Sequence, residues 1–161
     1  MRNTVERLNE LLETAQARME TTSRLIREAT TPEMRAIFEQ VREDEAWSCA
    51  GLANCITRAS AKRPGERGDV GEQVTAVPTL PDRLRLLNRG QRWAIARIAE
   101  LLDKPIYRES RAFLQEMRAV HVRNAVRCEE LIMALDREAG PDPLQARVPA
   151  AAAGARKAAV G

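Results

Sequence analysis

Four stretches of this chain place an apolar residue every three or four positions, and in three of them the series is broken near its middle by polar side chains. A stripe of that period lies on one face of an α-helix and must be covered by another such face, so four stripes call for a bundle. Val, Ile and Thr runs alternating with polar residues are missing, and the chain is rich in Leu, Ala, Arg and Glu. The expected fold is all-α, an antiparallel four-helix bundle.

The first stripe runs Val5, Leu8, Leu12, Ala15, Met19, Thr22 and Ile26, with Asn3 and Glu6 spaced as a capping box and an end near Thr30. Thr31-Pro32 opens the second helix as a cap with proline at the first helical position. Its stripe is Met34, Phe38, Val41, Glu45, Ser48, Leu52 and Cys55. Lys62 to Gly71 is too rich in glycine, proline and charge for a helix and reads as a surface crossover. Thr79 and Asp82 around Pro81 start the third helix, with Leu84, Leu87, Gln91, Ala94, Ile98 and Leu101 on one face. Asp103-Lys104-Pro105 separates it from the fourth, whose face is Ser110, Leu114, Met117, His121, Asn124, Cys128, Leu131 and Leu135 before Gly140-Pro141. The bundle domain is therefore expected over 1–138, and the Ala/Pro-rich remainder, 139–161, as a disordered tail.

Two short connections and one long one make two helical hairpins. Met34-Arg-Ala-Ile-Phe-Glu-Gln-Val-Arg42 also matches Ser110-Arg-Ala-Phe-Leu-Gln-Glu-Met-Arg118, and Leu8-Asn9 matches Leu87-Asn88, the marks of an internal duplication. In that register Glu45 corresponds to His121 and Ser48 to Asn124.

A net charge of +3 arises from acids and bases interspersed along helices, the pattern of solvated faces, which argues against nucleic acid as partner. No apolar run is long enough for a bilayer and no signal segment opens the chain, so no membrane role and a cytoplasmic setting are expected. Cys49, Cys55 and Cys128 lack metal or redox spacing and read as reduced, small apolar residues. Trp47 and Trp93 read as core or interface fillers.

The stripe positions Glu45, Ser48, Gln91, His121 and Asn124 should then meet inside the bundle. A buried polar group without a partner costs on the order of 1 to 3 kcal/mol, so these five are expected to form a network or to hold a ligand. Beside His121, Glu45 can stay ionised and hold an imidazolium.

This spacing resembles the ferritin-like superfamily, in which two hairpins joined by a long crossover hold a di-iron or di-manganese site from one Glu on each of two helices and Glu-x-x-His on each of the other two. Leu8-Asn-Glu-Leu-Leu-Glu13, Asp44-Glu-Ala-Trp-Ser-Cys-Ala-Gly-Leu52 and Leu87-Asn-Arg-Gly-Gln91 look like a bacterial group of such proteins of uncharacterised function. The resemblance covers Asn3 to about Leu135 and implies that fold. It departs from the metal pattern at every helix. The second reads Glu45-Ala-Trp-Ser48, the fourth His121-Val-Arg-Asn124, the third offers Gln91, and the first has Ala15 on its stripe with Glu13 and Gln16 beside it.

The expectation is a bundle that has lost its di-metal chemistry and carries a metal-free polar network, acting as a binding or structural protein that pairs as a dimer and takes a protein partner or small ligand. The alternative is a metal-binding protein or oxidoreductase with a reduced, mononuclear Fe, Mn or Zn site at Glu45 and His121, completed by Gln91 or Asn124.

Overall fold

The computed structural model describes residues 2–60 and 79–141, with Arg2 and Asn3 described by their backbone alone. Among these residues there are four helices and no strand: α1 (Arg2–Glu28), α2 (Pro32–Ser60), α3 (Leu80–Leu102) and α4 (Arg108–Ala139). The expected crossover and the 142–161 part of the expected tail lie outside the described residues.

Local chemistry sets most of the helix ends. Thr31 Oγ1 accepts the Met34 N–H at 3.1 Å, and Pro32 needs no partner for the donor it lacks. Thr79 accepts from the Asp82 N–H at 3.3 Å at the head of α3. α4 stops at Gly140, whose φ of 73° suits a residue without Cβ. One end differs from expectation: α1 already begins at Arg2, so Asn3 lies within the helix.

α1 pairs with α2 and α3 with α4, and ion pairs fix the direction of α1 against α3. Arg7 near the start of α1 pairs with Glu100 near the end of α3, while Glu28 at the end of α1 pairs with Arg83 at the start of α3. The two helices are therefore antiparallel. The end of α2 and the start of α3 consequently lie at opposite ends of the bundle, the placement that a crossover requires.

Two apolar clusters fill the interior. One gathers Leu8, Leu11, Ala15, Leu52, Ile98 and Met117 with their neighbours; the other gathers Leu25, Met34, Phe38, Val41, Leu84 and Leu87 with Cys128. The residues that break the stripes come between them. The buried face of α1 is Leu8, Leu11, Leu12, Ala15, Arg18, Thr22 and Leu25, so it passes through Arg18 and Leu25 where Met19 and Ile26 were expected; both of those are only half-buried. No described helix is long and apolar enough to cross a membrane.

Candidate functional site

A single guanidinium ties the middle of the bundle together. Arg18 leaves α1 on its buried face, is 5% exposed, and reaches the other three helices. Its Nε donates to Glu45 Oε1 on α2 at 2.8 Å, one terminal nitrogen donates to the Gly90 carbonyl on α3 at 3.4 Å, and the other lies 3.3 Å from His121 Nε2 on α4. Gly90 is small for a reason: a Cβ there would stand 3.2 Å from Arg18 Cδ, tighter than a comfortable contact. The helix thus accepts the conformational cost of glycine where the arginine stem passes.

Glu45 is fully buried and also accepts from Gln91 Nε2 at 3.0 Å. Burial raises its carboxyl above the usual range, while the Arg18 charge and the bonds from Arg18 and Gln91 pull it back. The neighbour that holds this carboxylate is therefore an arginine, which keeps its charge throughout the physiological range.

His121 is equally buried. Burial first, then the Arg18 charge, lowers its pKa to about 3, so the ring is neutral at neutral pH. With Arg18 donating to Nε2, the ring proton belongs on Nδ1. The imidazolium expected beside Glu45 is corrected on this point: His121 Nε2 stands 3.8 Å from Glu45 Oε1, and the cation serving both is Arg18.

The five expected residues are all buried, but they divide into two groups. Glu45, Gln91 and His121 meet around Arg18. Ser48 and Asn124 meet through Asp44: the Ser48 hydroxyl donates to the Asp44 carbonyl at 2.8 Å, and Asn124 Nδ2 donates to Asp44 Oδ2 at 2.9 Å. Arg123 pairs with the same carboxylate at 3.4 Å. Sequence reasoning missed Arg18 and Asp44, although Leu8, Leu11, Ala15, Arg18, Thr22 and Leu25 keep an unbroken three-and-four spacing.

Glu45 Oε2, Gln91 Oε1, His121 Nδ1 and Asn124 Oδ1 have no hydrogen-bond partner. Burial, then the Glu45 charge, pushes the Cys49 thiol up to about 11 and the Cys128 thiol up to about 12, which favours their protonated forms. Among the described residues, no group of three or more His, Cys, Asp or Glu is placed to hold a metal ion. What this layer provides is one buried ion pair, Arg18 with Glu45, beside the Asp44 carboxylate that Asn124 and Arg123 hold.

The family model for a domain of unknown function, DUF6306, matches residues 2–130. The chain belongs to that family. Among solved structures, this DUF6306 chain is similar to a two-domain protein from Anabaena variabilis ATCC 29413 that contains DJ-1/ThiJ/PfpI-like and ferritin-like domains. The TM-score is 0.62 at 17% identity, over 95% of this chain and 41% of that one. The fold is ferritin-like, and the chain spans about two fifths of that neighbour's length. No curated protein matches the chain.

Proposed function

We propose that this ferritin-like domain is a non-catalytic binding or structural protein in which the Arg18 guanidinium serves as the internal cation in place of a metal. The observation that carries the reading is the contact of that one group with Glu45, Gly90 and His121. A pair of divalent ions needs several carboxylates to offset its charge, and the layer has one fully buried carboxylate, Glu45, already paired with Arg18, while Asp44 is directed to Asn124 and Arg123. A dication at Glu45 and His121 would also meet the permanent charge of Arg18 within hydrogen-bonding distance of both donors. The residues present do not fit a di-iron or di-manganese centre, nor a mononuclear site completed by Gln91 or Asn124.

In this reading the layer fixes the register of the four helices. A one-residue slip would strand a charge among apolar side chains, at a cost greater than that of misplacing a leucine. The test is elemental analysis of protein made without an affinity tag or chelator after growth in iron- and manganese-supplemented medium. The expected result is no stoichiometric metal. About one or two metals per chain, lost in Glu45→Ala, would replace this reading with that of a metalloprotein.

A further inference from the structure

The sequence match between α2 and α4 makes the two ends of the bundle comparable residue by residue, and they are packed differently. At the end where α1 starts and α2 finishes, Leu8, Cys55, Ala59, Ile106, Ser110 and Leu114 line a cavity of about 360 Å³. In the register that aligns Met34 with Ser110, and Leu8 with Leu87, the counterparts of Cys55, Ala59, Ser110 and Leu114 are Leu131, Leu135, Met34 and Phe38. Those larger residues, with Leu87, pack together at the opposite end. The buried positions follow the same register, since Phe38 and Leu114, Val41 and Met117, Glu45 and His121, Ser48 and Asn124, and Leu52 and Cys128 are all buried. Four replacements by smaller side chains thus converge on one place, removing about ten heavy atoms from an equivalent core position.

The cavity walls are mostly apolar, with Ser110, Thr4, Tyr107 and Arg111 as their polar side chains, and the rim is braced. Ser110 is 3% exposed, and its Oγ has no bonded oxygen or nitrogen. It bears on the neighbouring Cys55 thiol, which is a weak hydrogen-bonding group. Burial raises that thiol, so the wall it forms is uncharged. Arg111, also at the cavity, has both terminal nitrogens engaged, donating to the Leu102 carbonyl at 2.6 Å and the Lys104 carbonyl at 3.0 Å. These bonds hold the α3–α4 turn against the start of α4 and keep the Arg111 guanidinium on backbone carbonyls, while Arg58 bears on the Cys55 thiol.

We propose that this end of the bundle is a binding site for a neutral, largely apolar small molecule carrying one hydroxyl or carbonyl group, which hydrogen-bonds to Ser110 Oγ. The volume suits a small ligand, and mostly apolar walls with a few polar groups, here with Ser110 the one that is both buried and unbonded to oxygen or nitrogen, are the usual makeup of such sites. Because the cavity lies at the end of the bundle, the assignment does not rest on the polar layer and stands whether or not that layer holds a metal.

The test uses the full chain, isotope-labelled, titrated with octanol, with octanoate as its charged counterpart and with octane. Saturable amide shifts at Cys55, Ser110 and Leu114 with octanol are expected, with weaker binding of octanoate and octane. Ser110→Ala should weaken octanol binding about tenfold, the effect of one hydrogen bond. Ser110→Met, which installs the residue of the other end, should abolish binding and raise the melting temperature by filling the space. Absence of saturable shifts at these residues overturns the proposal. So does a Ser110→Met protein that is less stable than the parent or still binds octanol.

Discussion

The two hairpins enter the same polar layer in opposite electrical states. The first contributes a charged pair, Arg18 and Glu45; the second contributes a neutral amide and a neutral imidazole, Gln91 and His121. In the duplication register the counterpart of Glu45 is His121, and continuing the alignment of Leu8 with Leu87 sets Arg18 against Arg97. Arg97 lies over the Trp93 ring and pairs with Glu100 at the surface. One arginine is thus drawn in, where a buried carboxylate awaits it, and its counterpart stays out. The lesson is that two helix pairs with matching burial patterns can carry their charges asymmetrically, because one buried carboxylate requires only one buried cation.

The largest way to break this asymmetry is Arg18→Met. It strands Glu45 in the core and should cost about 3–5 kcal/mol in urea unfolding, whereas adding Glu45→Met should recover most of that loss. If the double variant were no more stable than the single one, the layer would be held by something other than this pair. Next comes pH. The fold holds His121 at about 3 against an unfolded value of 6.5, so the neutral ring contributes stability that is fully present above pH 6.5. That stability is lost as pH falls toward 3, on the order of a few kcal/mol in all. Glu45, raised by burial, acts with the opposite sign, so the difference between wild type and His121→Gln isolates the imidazole. A difference independent of pH between 7 and 4 would show that His121 does not titrate against the fold.

Smaller effects sharpen the comparison elsewhere. At Gly51 on α2, an added Cβ would fall 1.9 Å from the Phe113 ring of α4, which also stacks at a tilt on Trp47. Gly51→Ala should cost about 1–3 kcal/mol in thermal unfolding, while Ala at its exposed counterpart Arg127 should change stability by less than about 0.5 kcal/mol. Equal effects would mean that the halves pack alike there. The smallest contrast pairs Asn124→Ala, expected to cost about 1 kcal/mol by removing one of the bonds to Asp44, with Ser48→Ala, expected to be near neutral because its hydroxyl only returns to its own helix.

The helices and most of their ends were legible because their causes are local. Thr31-Pro32, Thr79 with Asp82, and Gly140 act within a few residues of themselves. The stripes of α2, α3 and α4 were equally legible, including Glu45, Gln91 and His121, since a polar residue at a buried period is conspicuous. Arg18 was not. Met19 beside it is more apolar, and an arginine reads as a surface residue until something buried requires its charge. Asp44 escaped for the same reason, lying at the edge of the stripe and entering the layer only through Asn124 on another helix.

By itself, then, the sequence determined four amphipathic helices, two hairpins and the level at which polar groups are buried, because periodicity and capping are properties of neighbouring residues. Only the tertiary structure decided which cation sits in the core, that His121 is a neutral acceptor, and that one end of the bundle carries a cavity where its counterpart packs larger side chains. Each of those depends on what three other helices bring to the same place, and burial gives one buried charge the power to select its partner.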